Sequence, residues 1–74
     1  MSPEQCRAAR AILNLEQSEV AKAAKIARAT LIDYEKGARV PRQKTIAAIR
    51  SALEDAGVQF IEENGGGPGV RLRK

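Results

Sequence analysis

The sequence contains no histidine, no tryptophan and only one cysteine, Cys6. A single cysteine cannot close a disulfide within the chain, and no cluster of metal-ligating side chains is present. Because there is no histidine to move protons and the chain is too short to enclose a substrate, we expect no catalysis, no cofactor and no bound metal. Cys6 is better explained as a small core residue than as a reactive thiol.

Long apolar runs are also missing. No stretch approaches the roughly 20 apolar residues that are needed to cross a bilayer. The first residues carry arginines and lack the apolar segment of a secretion signal. We therefore expect a cytoplasmic protein with no membrane partner.

Aromatic residues are limited to Tyr34 and Phe60, so the core has to be built from isoleucine, leucine, valine and alanine. A domain of this size buries only about 60% of the surface that its unfolded chain exposes. Alanines allow helices to approach closely, and apolar residues recur at helical spacing along most of the chain. These features predict a mainly α fold of one domain, followed by a short tail of different character.

The formal net charge is +4, and the charge is distributed unevenly. Residues 22–50 contain eight basic and two acidic side chains, whereas residues 51–63 contain four acidic and no basic ones. One end of the molecule is therefore expected to be positive, as in proteins that bind a polyanion.

Two short helical patterns separated by a few residues organise the chain, and we expect them over residues 17–24 and 27–36. Val20, Ala21 and Ala24 form the apolar stripe of the first, while Leu31 and Tyr34 form that of the second. A glycine at position 37 ends the second helix. Two such helices joined by a tight turn form a helix-turn-helix, whose second member can present its N-terminal face to the DNA major groove.

The order of residues in this region resembles the XRE, or phage-repressor-like, family of helix-turn-helix regulators. The residues that carry the resemblance are Gln17, Ala21, Ile26, Arg28, Thr30, Leu31, Glu35, Gly37 and Pro41. Two positions depart from the family pattern. Lys25 replaces the usual glycine of the turn, and Ala27 replaces the usual serine or threonine at the start of the second helix.

The resemblance implies a role for several side chains. Arg28, Ala29 and Asp33 would face the bases, and Asp33 could instead be a solvated acid that restricts docking. The side chains expected to contact phosphates are Gln17, Lys25, Thr30, Lys36, Arg39, Arg42 and Lys44. Thr30 could equally be a surface hydroxyl, and the basic residues after Gly37 could be only a solvated face.

The flanking helices are expected over residues 3–13 and 43–56. Ser2 and Pro3 mark the start of the first helix. Its predicted inward side chains are Cys6, Ala9, Ile12 and Leu13, and those of the last helix are Ile46, Ile49, Ala52, Leu53 and Ala56. The family resemblance offers Glu35 as an ion-pair partner for Arg10, which otherwise would lie along the surface and meet water.

The tail, residues 58–74, predicts a β-hairpin around a loop rich in glycine. Val58, Phe60, Val70 and Leu72 would share the face toward the helices, and Glu62 and Glu63 would meet Arg71 and Arg73 on the other. Ile61 would stay exposed. Pairing of the hairpins of two subunits, through Phe60, Ile61, Val70 and Leu72, would make a homodimer; the alternative is a solvated hairpin without a partner.

The sequence thus predicts a four-helix domain, residues 1–57, that binds double-stranded DNA sequence-specifically as a transcriptional regulator, most simply a repressor. An alternative is an antitoxin-like protein-interaction module. In that case the hairpin or an exposed Ile32 would hold a protein partner, and DNA binding would be secondary or autoregulatory.

Overall fold

The computed structural model describes residues 1–73. The elements in chain order are α1 (Pro3–Leu13), α2 (Gln17–Ala24), α3 (Arg28–Lys36), α4 (Gln43–Asp55), β1 (Val58–Ile61) and β2 (Gly69–Leu72). This order confirms the mainly α fold with a C-terminal hairpin. Helix α3 begins one residue later than expected because Ala27 is extended, and α4 ends at Asp55 with Ala56 as its cap.

Reciprocal hydrogen bonds fix the start of α1. The Gln5 N–H donates to the Ser2 hydroxyl at 3.1 Å, and the Ser2 N–H donates to the Gln5 side-chain carbonyl at 2.9 Å. The amide nitrogen of the same glutamine donates to the carbonyls of Ile61 at 3.1 Å and Gly69 at 2.8 Å. Gln5 is therefore both a helix cap and the tether of the hairpin to α1.

Helices α1, α2 and α3 end in the same way, with a residue in the left-handed conformation. These residues are Asn14, Lys25 and Gly37, with φ of 58°, 60° and 75°. In each case the next N–H returns to a carbonyl five residues earlier, at 2.9–3.0 Å. Glycine and asparagine suit this conformation, whereas lysine adopts it at a cost of about 1 kcal/mol.

The core collects apolar side chains from all four helices and from β1. Its buried members are Cys6, Ala9, Val20, Ala21, Ala24, Leu31, Tyr34, Ile49, Leu53, Val58 and Phe60. Two side chains predicted to face inward from the helices neither belong to this core nor pack against it. Ile12 is 41% exposed because the inward stripe of α1 follows Cys6, Ala9 and Leu13, and Ala56 is exposed because the helix has ended there.

The two strands of the hairpin are antiparallel and pair Val58 with Leu72 and Phe60 with Val70. These four side chains therefore share one face. Val58, Phe60 and Val70 pack in or against the core as predicted, whereas Leu72 is 54% exposed. Phe60 is 6% exposed and lies in the core of its own chain, so it offers little surface to a second copy. Ile61 is half-buried rather than exposed, and so is Ile32 on α3.

The predicted ion pairs across the hairpin are also wrong. Glu62 accepts from Arg50 of α4 at 3.4 Å, and Glu63 accepts from the backbone of the glycine loop. Arg71 donates to Gln59, and Arg73 donates to a backbone carbonyl at the end of α4. The first strand was expected over residues 58–62 but ends at Ile61, and the second begins one residue earlier than expected, at Gly69. The acids therefore lie in the loop, beyond the paired residues.

Candidate nucleic-acid interface

Helix α3 has one buried and one outward side. Leu31, Tyr34 and Glu35 are buried, and the Tyr34 hydroxyl donates to the Met1 carbonyl at 3.2 Å. Arg28 and Ala29 near the helix start are exposed, and Thr30 and Asp33 are partly exposed. The three residues predicted to face bases therefore lie on the solvent side of the helix.

A surface groove runs between this side of α3 and the segment that leads into α4. Its volume is about 650 Å³, and its lining consists of Ala29, Thr30, Asp33, Arg39, Val40, Pro41, Arg42 and Thr45. One wall carries predicted base-facing residues, and the other carries two of the predicted phosphate contacts. The groove thus places base-facing candidates on α3 beside phosphate-contact candidates from the loop that follows it.

Cations fall into two groups in the structure. The arginines of α1, of the middle of α4 and of the C-terminal hairpin region donate to acceptors within the chain: Arg7, Arg10, Arg50, Arg71 and Arg73. The cations from Lys22 on α2 to Lys44 at the start of α4 are all exposed, and within residues 1–73 they have neither a salt bridge nor a side-chain hydrogen bond: Lys22, Lys25, Arg28, Lys36, Arg39, Arg42 and Lys44. A surface that concentrates cations without internal partners is typical of a site that binds a polyanion.

Glu35 holds the helices behind this surface together. Its carboxylate accepts two hydrogen bonds from Arg10, at 2.7 Å from Nε and 2.9 Å from Nη2, while Arg7 donates to its backbone carbonyl. The side chain of Glu35 is only 3% exposed. Burial by itself would raise the pKa of Glu35, but hydrogen bonds from Arg10, Gln17 and Cys6 outweigh it and lower the pKa below its ordinary value.

Comparison with protein families decides what kind of domain this is. A helix-turn-helix family model of the XRE type matches residues 7–54, which is well over half of the chain. The chain belongs to the XRE family. Members are DNA-binding transcription regulators and are not typically enzymes, so double-stranded DNA is the partner of this XRE domain.

A search of the curated proteins found no significant match. Within residues 1–73, no helix combines the length and the apolar character needed to cross a membrane.

Gln17 occupies a special position in this XRE domain. Its side-chain amide donates to the Glu35 carboxylate at 3.0 Å, so one of its two N–H groups is engaged inside the protein. At the adjacent start of α2, the Glu19 carboxylate accepts from the Glu16 N–H at 2.8 Å. The sequence predicted Gln17 as a phosphate contact and did not indicate its bond to Glu35.

Cys6 lies against the same ionic centre. It is fully buried, and its thiol donates to the Glu35 carboxylate at 3.2 Å. Burial, together with the neighbouring carboxylate, raises the pKa of the thiol to about 12. The thiol therefore stays protonated at neutral pH and acts as a hydrogen-bond donor in the core of the XRE domain.

Val40 and Thr45 belong to the groove, but the sequence did not single them out. Val40 is 87% exposed, although valine is usually buried. Val40 lies between Arg39 and Arg42 in the loop after the second helix of the pair. This position could have indicated that it belongs to the interface. Thr45 gives no such signal, because threonine in the first turn of a helix is common.

Proposed function

We propose that this XRE-family protein is a sequence-specific reader of double-stranded DNA that places α3 in the major groove and acts as a repressor. The observation that supports this is the set of exposed cations on α3 and on the segments before and after it, which have no salt bridge within residues 1–73. Free cations neutralise phosphates without first breaking internal ion pairs. A repressor of this kind would act by occupying a promoter and blocking access of RNA polymerase.

Base recognition would come from the start of α3. Arg28 is exposed in the first turn and would donate two hydrogen bonds to a guanine edge. The methyl group of Ala29 would contact a thymine methyl. Asp33, one turn further, would accept from a cytosine amino group or orient Arg28.

Phosphate contacts would hold the helix in register. The residues in this role are Gln17, through its remaining N–H, Lys25, Thr30, Lys36, Arg39, Arg42 and Lys44. They lie before, beside and after the base-facing residues in the chain. Each contact releases counterions, so affinity should fall steeply as salt is added.

A homodimer would extend the recognised sequence. Leu72 is 54% exposed, while Ile61 and Val70 are partly exposed, so the hairpin offers apolar surface to a second copy. Strand pairing between two hairpins would bury this surface and satisfy an open edge of each. The two α3 helices would then contact half-sites about 10 base pairs apart, or a multiple of this distance.

Selection of bound sequences from random duplex DNA, together with a mass measurement of the free protein, tests the proposal. We expect a preferred sequence with two-fold symmetry and a dimeric mass. Recovery of random sequences would refute sequence-specific reading. A stoichiometric protein partner without preferred DNA would favour the antitoxin-like alternative.

Two arginine substitutions separate base reading from phosphate binding. Arg28→Ala should cost about 1 to 3 kcal/mol on the selected sequence and relax preference at one base position. Arg42→Ala, the matched control, should weaken all duplexes alike and reduce the salt slope by about one unit. If Arg28→Ala weakened the selected and a scrambled duplex equally, Arg28 would not be a base-reading residue.

A further inference from the structure

Val40 has no packing role in the fold. It is 87% exposed, and it lies in the loop between α3 and α4, beside cations that have no partner within the described residues. A bare isopropyl group at such a place contributes nothing to the core. Its side chain does, however, line the groove whose other wall is formed by Ala29, Thr30 and Asp33.

We propose that this groove seats one deoxyribose–phosphate strand of the duplex, and that Val40 is the residue that contacts the sugar. The inference rests on the proposed function, since it assumes that α3 lies in the major groove. It adds a contact to a part of DNA that neither the base-facing nor the phosphate-facing residues recognise.

The chemistry of the two walls sets the orientation of the strand. Arg39 and Arg42 on the loop wall, with the hydroxyl of Thr45, are donors that suit phosphate oxygens. Asp33 on the helix wall repels phosphate, so the phosphates, apart from one that Thr30 contacts, lie toward the loop and the base edges toward α3. The sugars, which join the two, then lie between the walls, where Val40 is available.

An apolar side chain at this point favours deoxyribose over ribose. The C2′ carbon of deoxyribose carries only hydrogens and loses little when a valine excludes water from it. A 2′-hydroxyl would lose its hydration there, and valine has neither a donor nor an acceptor to replace it. Val40 therefore makes the groove selective for a DNA strand.

The first test uses Val40→Ala on the duplex recovered by selection, with affinity measured at several salt concentrations. We expect affinity to fall about threefold to tenfold at every salt concentration, because apolar contact area is lost. The salt slope should stay unchanged, since no ionic contact is removed. Arg42→Ala is the matched control on the same loop and should change the slope. Thermal unfolding should not change, because the Val40 side chain is exposed.

The second test places a single ribonucleotide at each position of that duplex in turn. Wild-type protein should lose affinity at one or two adjacent positions of one strand per half-site. The loss should shrink in Val40→Ala, because the smaller side chain leaves room to hydrate the 2′-hydroxyl. Such coupling between a side chain and a sugar position is not expected from a general loss of stability.

The outcomes separate the two proposals. Equal affinity of wild-type protein and Val40→Ala, or a ribonucleotide profile that is the same in both, would overturn the sugar contact while leaving DNA recognition intact. A changed salt slope in Val40→Ala would also overturn it. Failure of wild-type protein to bind any duplex would overturn both the contact and the proposed function.

Discussion

Replacing Lys25 by glycine should make the protein more stable and at the same time a weaker DNA binder. Lys25 ends α2 with φ 60° and ψ 45°, in the turn of the helix-turn-helix. Only one other non-glycine residue among residues 1–73, Asn14, has positive φ. A lysine in this conformation suffers a clash between its Cβ and the backbone that glycine does not have.

The expected gain in stability is at most about 1 kcal/mol, because the greater flexibility of glycine in the unfolded chain offsets part of the relieved strain. For a domain of this size, a gain of about 1 kcal/mol raises the thermal midpoint by about 4 to 8 °C, which is the upper limit of the expected shift. Circular dichroism during heating measures this shift. Asn14→Gly is the matched control, and its gain should be much smaller because asparagine tolerates the left-handed conformation.

Loss of the Lys25 charge should weaken DNA binding. The side chain is exposed in the turn that precedes Arg28, and it is one of the proposed phosphate contacts. Lys25→Gly should therefore lower affinity for all duplexes and reduce the salt slope by about one unit. Stability and affinity would then change in opposite directions, as expected if Lys25 is strained in the fold and also contacts DNA.

Two results would refute this reasoning. If Lys25→Gly did not raise the thermal midpoint, or if Asn14→Gly raised it equally, strain at Lys25 would not be the cause. If the salt slope stayed at its wild-type value, Lys25 would not contact a phosphate.

Two further predictions concern the start of α3 and the ionic centre behind it. Ala27→Ser should stabilise the protein by about 1 kcal/mol in urea unfolding, because Ala27 is an N-cap residue without a side-chain hydrogen bond; an unchanged midpoint would show that the hydroxyl finds no N–H. The pKa of Glu35 is lower in the folded protein than in the unfolded chain, so the ionised carboxylate stabilises the fold. This stabilisation is fully present above the unfolded-state pKa. It is lost as pH falls through the folded-state pKa. Glu35→Gln should therefore be less stable than wild-type protein at neutral pH and lose less stability on acidification, as measured by urea unfolding; parallel loss in both proteins would contradict this.

The helices were predictable from the sequence because their signals are local. Ser2 and Gln5 lie three residues apart and form the cap that their spacing indicates. Gly37 ends α3 in the left-handed conformation, as glycine usually does. Such features depend only on residues within one or two helical turns, so they can be predicted without knowledge of the rest of the fold.

Errors arose where a side chain had a choice of distant partners. Glu62 was expected to pair across the hairpin, but it accepts from Arg50, which also lies over the Phe60 ring at 5.4 Å. Similarly, Gln5 has the sequence signature of a cap residue only, yet it donates to carbonyls of both strands. Nothing in the spacing of residues specifies which strand end will lie beside α1.

The arginines of the basic stretch differ in whether they have an acidic partner within the protein. The basic stretch of residues 22–50 includes Arg50, which is neutralised by Glu54 at 3.0 Å and Glu62 at 3.4 Å. The two carboxylates balance the charge of Arg50 locally, so this part of the surface attracts a phosphate less than an arginine without acidic neighbours does. Arg28 and Arg42 carry the same formal charge but have no internal partner within the described residues. The sequence alone does not distinguish these arginines. In the fold, the arginines without an internal partner among the described residues lie on the outward side of α3 and in the loop that follows it.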